Sequence, residues 1–313
     1  MPATRSTRTP QRRAALAEAP VSRQQQATSS LKESFPVAKT PAKSSYLAMK
    51  KVMHRSTTAP QIIGRSAEQS SIRAFLRDTV EQNRGGSLYI SGNPGTGKTA
   101  CLQSIMSQSK VKFTSVLVNC VPLTRPTQAY MAILEALGVK FTGDPLGALE
   151  NHVLHNKRAF MVVLDEVDSL LGARQEVLYR LFELAKHPDS HMALVGIANA
   201  LDLTDRFLPR LQARNCEPVL LNFNPYQVKD IVEILQSRLS SVSGQEAEPI
   251  IQKAALELCA RKVAATSGDL RKALDVCRQA MEKAETETKR KSADKENAAG
   301  GGLPKVTLMH IAK

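Results

Sequence analysis

The chain has 313 residues, 42% of them hydrophobic, which suffices for one large domain or two modest ones with a buried core. Aromatic residues make up only 4% and Trp is absent, which argues against a base-stacking surface for single-stranded nucleic acid. The formal net charge of +14 favours an anionic partner, with nucleic acid as the leading class. No apolar run approaches the ~18 residues of a membrane span, and no secretory signal is recognisable. We therefore expect a cytosolic or nuclear protein without a membrane partner.

The cysteines lie mostly inside apolar runs, and none has CxxC spacing. They are Cys101, Cys120, Cys216, Cys259 and Cys277. An odd number without metal-ligand spacing predicts buried free thiols in a reducing compartment, with neither a disulfide framework nor a zinc site.

Residues 1–57 are rich in Ser, Thr, Gln, Ala, Pro and basic residues and show no helical or strand period over a useful length. This composition predicts a disordered basic regulatory tail. Residues 1–60 hold eleven Lys/Arg and two Asp/Glu, and such an arm is either simply solvated or contacts nucleic acid. Thr9 and Thr40 each begin a Thr-Pro step with a basic residue two places after the proline, a pattern that cyclin-dependent-type kinases prefer. Both threonines are therefore candidate phosphorylation sites.

Ordered structure is predicted to begin near Ile62, with a helix over residues 66–83 whose apolar residues follow helical spacing. Short apolar runs and amphipathic segments then alternate. The predicted strands are Ser87–Ser91, Thr114–Asn119, Phe160–Leu164, Ala193–Ile197 and Val219–Leu221. Strands that alternate with helices indicate an α/β fold, in which helices cover both faces of a mostly parallel sheet.

After Pro225 the pattern changes to helices without strands, which predicts a small all-helical second domain. The predicted helices cover residues 226–239, 249–263 and 269–286. A stretch rich in Gly, Lys, Glu and Asn at about 287–303 predicts a flexible loop, and Val306–Ala312 is expected to form a short helix or strand. The predicted regions are a tail of residues 1–57, an α/β domain of residues 58–223 and a helical domain of residues 224–313.

The strand at Ser87–Ser91 leads into a glycine-rich stretch that fits the pattern G-x-x-x-x-G-K-[ST], with a helix predicted after it. Glycines let the backbone curl so that its N–H groups converge on phosphate oxygens, and the following helix adds its positive N-terminal end. Lys98 is expected to reach the β- and γ-phosphates of ATP, and the Thr99 hydroxyl to bind Mg²⁺. The predicted nucleotide contacts of this loop are Gly92, Asn93, Pro94, Gly95, Thr96, Gly97, Lys98, Thr99 and Ala100.

An apolar run typical of a buried strand, Met161–Leu164, ends in the acidic pair Asp165 and Glu166. Asp165 can hold Mg²⁺ through water, and Glu166 can orient and deprotonate an attacking water. Carboxylates at a strand end are also found as plain solvated residues, but a phosphate loop upstream favours the functional interpretation. The next acid, Asp168, fits a structural or helix-capping role.

The chain resembles the AAA+ ATPases, because it has a phosphate loop and an acidic pair followed by a helical second domain. Gly196–Asn199 resembles the sensor-one motif of that family, which implies that Asn199 orients the lytic water near the γ-phosphate. Ser267–Leu274 resembles the sensor-two motif, which implies that Arg271 touches the γ-phosphate from the helical domain, called the lid.

The same resemblance implies further site residues. Ile63 and Arg65 precede the first helix, where the family packs adenine, although they also fit a simple helix entry. Tyr226 starts the lid and is expected to flank the adenine too. Arg210 and Arg214 follow sensor one, where family members project an arginine finger into a neighbouring subunit. The alternative for both is a surface salt bridge, and Arg214 is the preferred finger.

The combination resembles the eukaryotic initiator branch that contains the largest subunit of the origin recognition complex and cell division control protein six. Ser87–Leu102, Gly196–Arg214 and Cys259–Cys277 look closest to animal members of the latter, and the resemblance covers about Ile62–Lys313. It implies ATP- and Mg²⁺-dependent assembly with the origin recognition complex on double-stranded DNA, directly or through partners. It also implies recruitment of the minichromosome maintenance helicase, slow ATP turnover in isolation and residence in the nucleus, or in the cytoplasm when phosphorylated.

Further features concern regulation and extent. Lys295-Glu296-Asn297 matches a tripeptide read by the anaphase-promoting ubiquitin ligase, and Lys289–Lys291 is a candidate nuclear-import signal or a solvated helix end. Family members usually continue into a C-terminal winged-helix domain. In the family this domain contacts DNA. Because the chain stops at Lys313, we expect the DNA contact of the winged-helix domain to be missing from it.

Other functions stay open at the level of sequence. A clamp-loader-like or helicase-loader-like AAA+ motor would lack the basic phosphorylatable tail. An ATP-binding scaffold without hydrolysis is disfavoured by the intact Glu166 and Asn199. A sequence-specific DNA-binding protein is disfavoured because no helix-turn-helix or other base-reading module is evident.

Overall fold

The computed structural model describes residues 41–57, 62–109, 113–170, 175–199, 203–243, 250–293 and 304–312. Its strands are β1 Gly86–Gly92, β2 Thr114–Asn119, β3 Phe160–Asp165, β4 Met192–Ile197 and β5 Val219–Phe223. They form one parallel sheet in the order β2-β3-β4-β1-β5. The five predicted strands are therefore confirmed to within two residues at each end.

Helices cover both faces of this sheet. They are α2 Ser66–Leu76, α3 Lys98–Gln108, α4 Pro126–Ala136, α5 Pro145–His155, α6 Gln175–Lys186 and α7 Leu203–Ala213. A π-helical turn, Arg77–Glu81, extends α2, and a 3-10 helix, Val167–Leu170, follows β3. Successive side chains of a strand point to opposite faces, so Val162 joins the core beneath α4 to α6 whereas Val163 joins the core beneath α2 and α3. We call this sheet with its helices the base.

The lid is a separate helical bundle with its own core. Its helices are α8 Val228–Ser243, α9 Lys253–Thr266, α10 Leu270–Ala293 and α11 Leu308–Ala312. Before α11, Val306 pairs with Ile251 in an isolated parallel bridge.

Helix α10 is longer than predicted, since residues 287–293 are helical and not part of a flexible loop. Lys, Arg and Ala are good helix formers, and an i,i+4 pair between Glu285 and Lys289, with Oε1 and Nζ 2.8 Å apart, supports this end of the helix. Lys289 and Arg290 lie on this helical end. Lys295-Glu296-Asn297 lies outside the described residues.

A further helix, α1 Pro41–Val52, corrects the prediction of a disordered tail over residues 1–57. Tyr46, Met49 and Met53 are buried in the core of the lid. Composition could not reveal this helix, because its stabilisation comes from lid helices far away in the sequence. Residues 1–40, with Thr9 and Thr40, lie outside the described part of the chain.

The five cysteines are free and buried, as predicted. Burial raises the pKa of Cys101 to about 11 and that of Cys120 to about 12, so both thiols are protonated at neutral pH. Within the described ranges, no helix is both long and apolar enough to cross a membrane.

Candidate nucleotide site

The loop between β1 and α3 curls tightly because two of its glycines adopt left-handed backbone conformations. Gly95 has φ +75° and Gly97 has φ +89°, which side chains with a Cβ rarely adopt. The Thr96 hydroxyl closes the curl by donating to the Asn93 carbonyl oxygen at 2.8 Å. Gly97 begins α3 without a side-chain cap, so the first N–H groups of the helix are available to an anion.

Lys98 is buried in this loop, with 5% of its surface exposed. Its Nζ donates to the carbonyl oxygens of Gly92 at 2.7 Å and Asn93 at 3.0 Å, and to Asn199 Oδ1 at 3.0 Å. Burial lowers the pKa of Lys98, and the nearby charge of Arg271 lowers it further. Two crowded cations facing a loop of N–H groups fit a polyanion such as the phosphates of ATP.

Asp165, at the end of β3, lies beside the start of α3. Its Oδ2 accepts from the Thr99 hydroxyl at 3.1 Å, and its Oδ1 accepts from the Glu166 N–H at 3.0 Å. The Thr99 and Asp165 oxygens are the hard ligands that Mg²⁺ prefers. These two residues therefore fit a magnesium ion bound beside the phosphates.

Glu166 has φ +56°, a left-handed conformation that is uncommon for a residue other than glycine. Its carbonyl oxygen accepts from the N–H of Ser169 at 3.1 Å and from the Ser169 hydroxyl at 3.0 Å, which holds this turn. Glu166 lines the cleft beside Asp165. Strained backbone of this kind is concentrated at functional sites.

Asp168 has a more specific position than the sequence indicated. It lies in the 3-10 helix after β3, and its Oδ2 accepts from the backbone N–H of Asn199 at 2.6 Å. This bond joins the end of β3 to the end of β4, while the Asn199 side chain accepts from Lys98. Sequence reasoning missed the contact because the two residues are 31 positions apart.

The lid touches the phosphate loop at the start of α10. The Leu270 N–H donates to the Gly95 carbonyl oxygen at 3.3 Å, and the Asp269 carboxylate packs so closely against Gly95 that a Cβ there would collide with it. Asp269 Oδ1 also accepts from the Arg271 N–H at 2.8 Å, which caps the helix. Arg271 is exposed and lines the cleft.

Two of the three predicted adenine contacts line the cleft, namely Ile63 and Tyr226. Arg65 is not among its lining residues, because its guanidinium is buried behind the wall. It stacks on Tyr226 at 4.1 Å and on Phe223 at 5.2 Å from the ring centroids, and it donates to the Asn224 carbonyl oxygen at 2.6 Å. The structure therefore places Arg65 as a brace between base and lid.

Neither arginine-finger candidate lines the cleft. Arg214 Nη1 lies 2.8 Å from Glu183 Oε1, and its guanidinium stacks over Tyr179 at 5.0 Å from the ring centroid. The hydrogen bond to Glu183 raises the pKa of Arg214. Arg210 donates to Gln175 Oε1 at 3.3 Å. Within one copy of the chain, both arginines therefore contact α6.

The cleft between base and lid encloses about 640 Å³, a volume suited to a small-molecule ligand. The predicted site residues that line it are Ile63, Gly95, Gly97, Lys98, Thr99, Ala100, Asp165, Glu166, Asn199, Tyr226 and Arg271. Gly92, Asn93, Pro94 and Thr96 belong to the loop without lining the cleft. A second concavity of about 650 Å³ lies along α5, but it has neither a glycine-rich loop nor an acidic pair.

The phosphate loop after β1, the acidic pair after β3 and a helical lid over a parallel sheet define the AAA+ class of P-loop proteins. A family model described as an AAA domain matches residues 81–204. A second, described as the Cdc6/ORC-like ATPase lid domain, matches residues 226–288. The chain belongs to the Cdc6/ORC-like family of AAA+ proteins.

Individual relatives agree with these matches. The cell division control protein 6 homolog of Homo sapiens is 45% identical over 249 residues, covering 76% of this chain and 44% of the relative. Cell division control protein 18 of Schizosaccharomyces pombe is 36% identical over 308 residues, covering 83% of this chain and 52% of the relative. A structure of Drosophila ORC bound to DNA aligns with a TM-score of 0.71 and 29% identity, covering 92% of this chain and 69% of that one. The chain thus spans about half the length of these two curated relatives.

Proposed function

We propose that this protein binds and hydrolyses Mg-ATP and acts as an initiator of DNA replication. The observation that carries this proposal is the cleft, where the phosphate loop, the acidic pair and Asn199 of the base face Arg271 of the lid. Family membership supports the replication setting, since the matched relatives include cell division control proteins and the matched structure is of ORC bound to DNA.

ATP binding uses the curled loop for the phosphates and the apolar end of the cleft for the base. Lys98 exchanges its carbonyl partners for phosphate oxygens, which are stronger acceptors because they are charged. Ile63 and Tyr226 flank the adenine. Thr99 and Asp165 are the residues that would hold Mg²⁺, and the ion would neutralise part of the phosphate charge.

Hydrolysis is an in-line attack of water on the γ-phosphorus. Glu166 accepts the proton of the water as the new phosphorus–oxygen bond forms. The bond to the bridging oxygen breaks, and ADP and inorganic phosphate are the products. Asn199 orients the water, and Asp168 fixes the Asn199 backbone from behind. Turnover is slow in isolation, because a partner surface completes the site.

The lid acts as a nucleotide-biased switch. Arg271 senses the γ-phosphate, and the contact of Asp269 and Leu270 with Gly95 transmits the position of the loop to α10. A ligand shifts such an equilibrium only by its differential affinity for the two lid positions. The lid angle then changes the surface that the protein offers to its partners.

The biological reaction is licensing of replication origins in the nucleus. The ATP-bound protein joins the origin recognition complex on double-stranded DNA, and the complex recruits and loads the minichromosome maintenance helicase. Phosphorylation at Thr9 and Thr40 and recognition of Lys295-Glu296-Asn297 by a ubiquitin ligase regulate the protein through the cell cycle. The phosphorylated form resides in the cytoplasm.

The test compares wild type, Lys98→Ala and Glu166→Gln for ATP binding, ATP hydrolysis and joining of purified origin recognition complex on DNA. Wild type is expected to bind ATP and to join the complex only with nucleotide. Lys98→Ala is expected to lose both ATP binding and joining of the complex, because it removes the buried cation of the phosphate loop. Glu166→Gln is expected to bind ATP and to remain trapped on the complex.

Other outcomes separate the alternatives. A protein that binds ATP but ignores the complex and DNA is not an initiator, and a clamp-loader-like motor then becomes the better interpretation. A Glu166→Gln variant that assembles and releases like wild type indicates an ATP-binding scaffold without required hydrolysis.

A further inference from the structure

Residues 41–57, which comprise α1 and the turn after it, are fastened to the lid; we call them the strap. Tyr46, Met49 and Met53 of the strap are 5%, 2% and 0% exposed in the lid core. The Tyr46 hydroxyl donates to the Met281 carbonyl oxygen of α10. The strap is therefore a structural part of the lid.

A buried arginine holds both ends of the turn that follows α1. Arg238 of α8 is 7% exposed, and its Nη1 donates to the carbonyl oxygens of Val52 at 2.9 Å and Thr57 at 3.1 Å. Burial lowers the pKa of Arg238. Burying a charged side chain opposes folding unless the side chain gains hydrogen bonds. Arg238 gains them from two backbone carbonyls of one turn, which indicates that this turn is held in a fixed position.

Two basic residues of the strap form ion pairs with α10 at different places, and one of them, Lys50, contacts both Glu282 and Glu285. Lys50 lies 3.1 Å from Glu285, as measured from Nζ to Oε2. Arg55 pairs with Asp275, one helical turn beyond Arg271. The first pair is away from the cleft, since neither of its residues lines it, whereas Arg55 does.

The turn reaches the nucleotide cleft itself. Arg55, Ser56 and Thr57 line it together with the phosphate loop and with Arg271 and Leu274 of the lid. Residues of α3 in the base complete this part of the lining, and they are Gln103, Ser104, Ser107 and Gln108. The cleft is thus walled by the base, the lid bundle and the strap.

We propose that the strap turn, residues 53–57, forms a wall of the nucleotide site that slows nucleotide release, and that Arg238 and the Arg55–Asp275 ion pair hold this wall in place. The inference rests on the proposed function, because it takes the cleft as the place where nucleotide binds. It adds a segment of the chain to the site that lies outside both matched family models.

The experiment measures how fast methylanthraniloyl-ADP leaves the full 313-residue chain when excess unlabelled ADP is added in a stopped-flow instrument. Arg55→Ala and Asp275→Asn each break this ion pair and are expected to accelerate release about two- to fivefold. The double variant is expected to release no faster than either single variant, because both changes break one interaction. Thermal unfolding of each variant checks that the lid stays folded.

Lys50→Ala is the matched control, since it removes an ion pair between the same strap and the same helix but away from the cleft. Its release rate is expected to equal that of wild type. Wild-type rates for Arg55→Ala and Asp275→Asn overturn the inference, and so does equal acceleration by Lys50→Ala. A wild-type chain that binds no nucleotide overturns the proposed function as well, which separates the two failures.

Discussion

The base and the lid face the same cleft, but they contribute to it in different ways. The base presents consecutive residues, the loop of 92–99 and the pair Asp165 and Glu166, each placed by the strand that precedes it. The lid contributes segments far apart in the sequence, residues 53–57 and the start of α10. Phosphate binding is therefore specified locally, whereas closure of the site depends on long-range packing.

The largest effect is expected from a change in the base that leaves the lid alone. Glu166→Gln removes the proton acceptor and keeps the shape of the side chain, so ATP hydrolysis is expected to fall by about 10²–10⁴-fold. ATP affinity is expected to stay close to wild type. Phosphate release under single-turnover conditions measures the rate, and hydrolysis at the wild-type rate would remove Glu166 from the mechanism.

A cavity in the lid is expected to act on stability and leave the base fold intact. Met53→Ala empties a fully buried position of the lid core and should lower the free energy of unfolding by about 2–5 kcal/mol. Chemical denaturation followed by far-UV circular dichroism measures this change. If strap and lid are one folded unit, Leu47→Ala, at a position of α1 that is 64% exposed, should cost far less. Equal effects of the two changes would contradict the packing of α1.

A smaller effect is expected from removing the hydrogen bond between Asp168 and Asn199, which joins the ends of β3 and β4. Asp168→Ala removes the acceptor of the Asn199 N–H and should slow hydrolysis roughly tenfold, which corresponds to about 1.4 kcal/mol. Nucleotide affinity should change less than the rate. Asp168→Asn keeps an oxygen acceptor and serves as the control in steady-state kinetics. An affinity loss without a rate loss would assign Asp168 to binding.

The smallest effect is expected at the rim of the lid. Lys50→Ala breaks a partly exposed ion pair, so the free energy of unfolding should fall by about 0.2–1 kcal/mol. Lys289 and Lys50 hold the pKa of Glu285 below its ordinary value. The stabilisation is therefore present above the ordinary glutamate pKa and is lost as the pH falls through the lowered pKa. Denaturation at neutral and acidic pH measures it, and a difference between wild type and variant that grows on acidification would contradict the assignment.

The strands and the phosphate loop of the base could be predicted to within two residues, because their signals are local. A strand, a glycine-rich turn and a helix start follow each other within a few positions, and the backbone of Gly95 and Gly97 adopts the left-handed conformations that such a loop needs. The same holds for the acidic pair at the end of a buried apolar strand. The left-handed conformation of Glu166 had no signal in the sequence.

The strap and the inner contacts of the site could not be predicted, because they depend on partners far along the chain. Tyr46, Met49 and Met53 have helical spacing, but they lie within a polar basic stretch and are buried only by lid helices. Arg65 was predicted to contact adenine, yet two aromatic rings and a carbonyl hold it behind the wall. The trans role of Arg214 stays a prediction.

The most direct test of a site shared by base and lid is the Mg-ATP affinity of wild type, Lys98→Ala, Arg271→Ala and the double variant, measured by isothermal titration calorimetry. Lys98→Ala should weaken binding by about 2 kcal/mol or more, and Arg271→Ala by less, because Lys98 is buried and Arg271 exposed. The two losses should couple, since both cations serve the same phosphates. Unchanged affinity in Lys98→Ala, or strict additivity of the two changes, would contradict a single site closed from both sides.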